Sequence, residues 1–217
     1  MHLYLDTADQ TAAEPLLATG LFAGLTTNPT ILQRAGQGVA DIPRIHAWAA
    51  AAGAREIFFQ AWGEDRDTLV ERGLRLRELG DDVVVKLVVS QPGAAACADL
   101  ARRGIPTLLT AVYDPGQALI AAAAGATYIA PYFGRLGDAG RDAEADVVAM
   151  HEVLVAAGGP TKVLLASIRD VASMVALARR GVQHFTMAPA VAEAFFADEL
   201  TATAVQTFED AVRDTSA

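Results

Sequence analysis

The chain contains two lysines, and one of them, Lys86, lies within the run Val83-Val84-Val85-Lys86-Leu87-Val88-Val89. Such a run reads as a buried β-strand, and because side chains alternate along a strand, Lys86 shares a face with Val84 and Val88. If that face points into the core, burial disfavours the ammonium and lowers its pKa. A neutral amine at neutral pH can attack a carbonyl to form a Schiff base. The alternatives are a structural lysine that snorkels outward or one paired with a buried acid. The other lysine, Lys162, precedes its strand and reads as a solvated charge.

A second pattern supports the chemical reading. Successive β-like runs end in polar or ionisable side chains while their bodies stay apolar: Asp6, then Thr26, Thr27 and Asn28, then Gln60, Lys86, Thr110, Tyr132 just past its run, and Ser167. Asn28-Pro29 is ordinary turn chemistry, but Gln60, Lys86 and Thr110 are not turn formers. A carboxylate at Asp6 could orient substrate hydroxyls or assist proton transfer, or it could cap the following helix. Arg135 in PYFGR and Ser167-Ile168-Arg169 form another group. A hydroxyl, guanidinium groups and helix N-terminal amides together suit a phosphate.

These residues need elements that bring them to one place. Strand-like runs fall at 2–6, 24–27, 56–61, 83–88, 106–112, 128–131, 162–167 and 184–187. Amphipathic, alanine-rich stretches lie between them, for example at 65–79, 93–103, 115–124, 143–157 and 170–180. Alternation at this spacing indicates parallel βαβ units. LYLDTADQ stands where an open dinucleotide-binding sheet would carry a Gly-rich fingerprint. The expected fold is therefore α/β, a (β/α)8 TIM barrel whose strand ends meet at one mouth, where such barrels place their active sites. A further helix over 198–214 carries Leu200, Ala204, Phe208 and Val212 at period four, and must pack on its own barrel or on a neighbouring subunit. The whole of 1–217 is expected to be one domain.

Charge and composition remove several function classes. A net charge of −9 disfavours non-specific nucleic-acid binding, though locally placed arginines can still hold a phosphorylated small molecule. No apolar stretch approaches the ~20 residues of a membrane span, and the first residues do not resemble a secretory signal, so a cytoplasmic protein is expected. Cys97 is the only cysteine and reads as a buried, inert thiol. The four histidines, His2, His46, His151 and His184, show no metal-ligand spacing, and no metal or cofactor is expected.

The segments LYLDTAD, GLTTNPTIL, VVVKLV, GIPTLLTAVYDPGQA, YIAPYFGR and VLLASIRD, in order from residue 3 to about 170, resemble the transaldolase family, specifically its small branch that includes fructose-6-phosphate aldolase. The resemblance implies a (β/α)8 barrel with its Schiff-base lysine on the fourth strand, where Lys86 falls. It also implies homo-oligomeric assembly through the C-terminal helix, as pentamers or decamers. Gln60 and Tyr132 match the aldolase branch, where transaldolases carry glutamate and usually phenylalanine. By the same resemblance Gln60, Thr110 and Tyr132 hold a catalytic water, with Tyr132 moving the proton, while Asp6 and Asn28 bind substrate hydroxyls. Gly134-Arg135 and Ser167-Ile168-Arg169 look more like transaldolase, and 136–141 (LGDAGR) has no clear aldolase counterpart. The expectation is a class I aldolase acting on a ketose phosphate such as fructose 6-phosphate. The alternatives are a transaldolase and a non-catalytic sugar-phosphate-binding barrel.

Overall fold

The computed structural model describes residues 1–215; residues 216 and 217, the end of the expected 1–217 domain, lie outside the described residues. Eight strands, β1 (His2–Asp6), β2 (Phe22–Thr26), β3 (Glu56–Gln60), β4 (Val83–Val88), β5 (Thr107–Val112), β6 (Tyr128–Pro131), β7 (Lys162–Ile168) and β8 (His184–Met187), pair in parallel in sequence order and close into a barrel. The first half of the chain supplies helices α1 (Gln10–Ala18), α2 (Pro29–Arg34), α3 (Ile42–Ala51), α4 (Arg66–Arg77) and α5 (Gln91–Arg102). The second half supplies α6 (Gly116–Ala123), α7 (Phe133–Asp138), α8 (Ala143–Ala157), α9 (Val171–Ala178), α10 (Pro189–Glu193) and α11 (Glu199–Thr215). This is the (β/α)8 TIM barrel with an additional C-terminal helix that the alternating pattern implies.

Local chemistry sets the boundaries. Asp9, Asn28, Asp65, Ser90, Asp142 and Asp170 each cap a helix by accepting a backbone N–H three residues on, and Pro29 occupies the first turn of α2, where its missing donor costs nothing. The second strand begins earlier than the sequence pattern suggests, at Phe22, and stops at Thr26. Thr27 is still tied to the next strand, since both its N–H and its hydroxyl donate to the Phe58 carbonyl. Gly24 permits this approach, because a Cβ there would lie 1.8 Å from the Glu56 carbonyl oxygen. The α7 helix forms where the sequence shows only PYFGRLGD, a segment too short for a clear helical period.

The strands bury both faces. Outward residues such as Leu5, Leu25, Phe59, Leu87, Ile129 and Leu165 form one apolar cluster with the helices. Inward residues Tyr4, Phe58, Val84, Leu108, Tyr128 and Leu164 fill the lumen, so the barrel is a packed core and not a pore. The Tyr4 and Tyr128 hydroxyls both donate to Glu56 within this plug. Burial raises both phenol pKa values, Tyr128 to about 12, with the Glu56 carboxylate adding to the effect. Lys86 follows Val84 by two residues on the same face, which places it one layer above the apolar plug, at the C-terminal mouth.

Helix α11 buries none of its residues: Leu200 is 81% and Phe208 68% exposed, and Val212 is exposed as well. Among the described residues no helix is long and apolar enough to cross a membrane.

Candidate active site

The strand-end residues converge on a cavity of about 210 Å³ at the C-terminal mouth. Asp6, Asn28, Lys86, Tyr132, Arg135, Ser167 and Arg169 all contribute to its wall. Lys86 is 4% exposed. Burial lowers its pKa from the ordinary lysine value, while the Asp6 carboxylate pulls in the opposite direction. Burial likewise raises the Asp6 carboxyl, against the pull of Lys86 and of a 2.6 Å hydrogen bond from the Thr26 hydroxyl. Thr26 is fully buried and also shares a 2.6 Å hydrogen bond with Thr186 on β8. Its contacts fix the carboxylate of Asp6 instead of facing the cavity.

Across the mouth, the Tyr132 and Thr110 hydroxyls lie 2.9 Å apart. Burial raises the Tyr132 phenol above its usual range, so it stays protonated through neutral pH and can donate its proton while accepting a hydrogen bond. Thr110 is buried and reaches the cavity only through Tyr132. Gln60 pairs in register with Lys86 on the adjacent strand, is half-buried, and does not line the cavity. Asn28 spends its carbonyl oxygen on the Ile31 N–H at 2.9 Å, which leaves its amide N–H₂ as the group free to donate.

A cationic rim completes the site. The Arg135 guanidinium lies 4.8 Å over the Tyr132 ring, a cation–π contact. Arg169 is held by both carboxylate oxygens of Asp138. Ser167 has φ of +59°, a left-handed conformation uncommon for serine, at the point where the β7–β8 register shifts. Ala111, with the same φ, interrupts the β5–β6 register directly after Thr110. Bulges next to active sites re-aim side chains, and these two follow or carry site hydroxyls. Gly134 makes the rim possible: a Cβ there would lie 2.6 Å from the Ser167 carbonyl oxygen and 2.9 Å from Arg169 Nε.

The sequence reading missed Arg34, which closes α2 and lines the cavity, and Thr186, which lines it from β8. It also missed Asp138 as the partner of Arg169. A basic residue one short helix beyond a strand-end TTNP could have signalled Arg34. Nothing local in HFTM signalled Thr186.

The wall just described lies at the C-terminal face of a (β/α)8 barrel, where enzymes of this fold carry out their chemistry. The chain belongs to the Transaldolase/Fructose-6-phosphate aldolase family, whose model matches residues 3–217, and it is an enzyme of the aldolase or transaldolase kind. It is 35% identical over 212 residues to a "Probable transaldolase" of Coprothermobacter proteolyticus, covering 96% of this chain and 94% of that one. It is 33% identical over 210 residues to a "Probable transaldolase" of Phenylobacterium zucineum, with the same coverage. Among solved structures, the recombinant flavin-binding domain of baker's yeast flavocytochrome b2 superposes with a TM-score of 0.59 at 12% identity. That match covers 87% of this chain and 57% of the other, and it shows the barrel fold alone.

Proposed function

We infer that this chain is a class I aldolase that cleaves and forms the C3–C4 bond of a ketose phosphate such as fructose 6-phosphate. The observation that carries the reading is an almost fully buried amine, Lys86, opening into the same small cavity as the protonated phenol of Tyr132. The neutral Lys86 amine adds to the C2 carbonyl, and loss of water gives an iminium. The C4 hydroxyl gives up its proton to a water held by Tyr132, Thr110 and Gln60, and the C3–C4 electron pair moves into the iminium. An aldehyde, glyceraldehyde 3-phosphate, leaves. The resulting enamine is protonated at C3 through Tyr132, and hydrolysis releases dihydroxyacetone and restores the amine. Asp6 and Asn28 hold substrate hydroxyls, with Thr26 fixing the Asp6 carboxylate. Arg135, Ser167 and Arg169 bind the phosphate. The covalent imine is itself the electron sink, so the mechanism calls for no metal or organic cofactor.

A second reading is transaldolase, favoured by the Arg135, Ser167 and Arg169 cluster and by the names of the relatives. In that case the enamine waits for an acceptor aldehyde. Incubation with fructose 6-phosphate alone, following glyceraldehyde 3-phosphate, separates the two. Release without an acceptor establishes the lyase, and turnover only with erythrose 4-phosphate makes the chain a transferase. Silence under both conditions counts against both substrates.

The phosphate assignment makes its own prediction. Gly134→Ala will push Ser167 and Arg169 apart, at a cost of roughly 1–3 kcal/mol for overpacking. KM for fructose 6-phosphate should then rise by about tenfold or more, while turnover of unphosphorylated fructose changes little. Equal loss for both sugars would remove Ser167 and Arg169 from the phosphate site. The 1–217 span is read as a single barrel domain in the cytoplasm, with 198–214 as an oligomerisation helix. Phe208→Asp, which charges the exposed face of α11, should lower the mass measured by light scattering. An unchanged mass would mean that α11 does not form the interface.

A further inference from the structure

The opposite, N-terminal mouth of the barrel holds a second concavity, of about 590 Å³, larger than the catalytic one. His2 from β1, His151 from α8, Lys162 from β7 and His184 from β8 meet in its wall. No aspartate or glutamate is among its lining residues, although the chain carries a net charge of −9. The informative member is His184. It is 5% exposed, its ring stacks parallel to that of His2 at 4.6 Å, and it meets Tyr128 edge-on. Among the described residues no group hydrogen-bonds to its imidazole, whose nitrogens are not among the fully buried unpaired atoms and so stay open to the concavity that His184 lines. With no protein partner, the imidazole is available to hydrogen-bond a ligand that enters the concavity. Lys162 is exposed at the rim and has the Tyr128 ring, 6.0 Å away, as its neighbour. Glu56, at the start of β3, is engaged by the Tyr4 and Tyr128 hydroxyls.

We propose that this mouth binds a small phosphate-bearing anion, held by the Lys162 ammonium and by imidazole N–H groups of His2, His151 and His184. Donors arriving from three strand starts and a helix surround a tetrahedral anion better than a planar one, and each bond to it is charge-assisted. Burial, then the positive charge of His2, Lys162 and the N-terminal amine, holds the His184 pKa down at about 4. A bound anion cancels that repulsion, so binding raises the His184 pKa, and by linkage phosphate binds more tightly as the pH falls.

Histidine NMR isolates this site, because no histidine lines the catalytic cavity. The probe is inorganic phosphate at constant ionic strength, followed through the Cε1–H resonances of the four histidines. Saturable shifts are expected at His2, His151 and His184, with a rise in the His184 titration midpoint. His46, paired with Asp82 at 2.8 Å, should not move. Lys162→Gln, an exposed substitution that leaves the fold intact, should weaken phosphate by about tenfold, the loss of one charge-assisted bond. Arg135→Ala, in the other mouth, should leave the shifts unchanged. Non-saturating shifts shared by all four histidines, no shifts, or equal affinity in Lys162→Gln would each overturn the assignment.

Discussion

Lys86→Met will melt at a higher temperature than the parent protein and will be catalytically dead. Both effects come from the same burial. Below the ordinary lysine value of 10.5 the unfolded chain binds the Lys86 proton more readily than the folded one, whose pKa is lowered. Lys86 therefore subtracts from stability at neutral pH, and the subtraction shrinks as pH rises toward that value. A methionine of similar length removes this cost, for a gain of roughly 1–2 kcal/mol. Activity should fall by roughly 10⁴-fold or more, the order expected when a covalent nucleophile is deleted. Borohydride added with substrate should trap a reduced adduct on the Lys86 peptide of the parent and on no peptide of the variant. Lys162 serves as the internal control, being exposed at the far mouth. In the parent, kcat/KM should rise with pH as Lys86 loses its proton, with a midpoint below 10.5. A variant less stable than the parent, or one that still forms an adduct, would falsify the assignment of Lys86 as a buried nucleophile.

Tyr132→Phe will separate imine formation from bond cleavage. The phenyl ring keeps the packing beneath Arg135 and the edge-on contact with Tyr113, and removes only the hydroxyl that pairs with Thr110. Proton transfer by a positioned side chain is worth ~10²–10⁴ in rate, so kcat should drop by about that factor. Borohydride trapping on Lys86 should persist, because nucleophilic addition does not depend on the phenol. The raised pKa of Tyr132 means that the parent keeps its proton across neutral pH, with any decline from phenol ionisation confined to strongly alkaline conditions. A loss below tenfold would show that Tyr132 does not carry the proton. Loss of trapping together with turnover would make its role structural.

The barrel was legible because its strands announce themselves through apolar runs and several of its helices through a side-chain cap. Asp65 and Asp170, for example, stand one residue before helices that the amphipathic spacing already marked. Helix α1 was harder to see, since Pro15 interrupts its period, and α7 is too short to have one. Asp6, Lys86 and Tyr132 could be picked out because a polar side chain ending an apolar run is conspicuous. Asp138 could not, since its importance comes from a pairing with Arg169 across 31 residues of sequence. The bulges at Ala111 and Ser167 were also hidden. Neither alanine nor serine advertises a left-handed backbone, and the conformation is imposed by closing the barrel around them.

The scarcity of lysine bears on chemical durability. An aldolase or transaldolase lives among aldehydes, and aldehydes condense with any accessible primary amine, not only the catalytic one. In this chain arginine supplies nearly all the positive charge, and a guanidinium, protonated at every relevant pH, does not form imines with simple aldehydes. Apart from the chain terminus, the surface offers such reagents a single amine, Lys162, at the mouth opposite the catalytic cavity. Adventitious glycation by the enzyme's own substrates is thereby confined to one side chain, far from the nucleophile it would otherwise mimic.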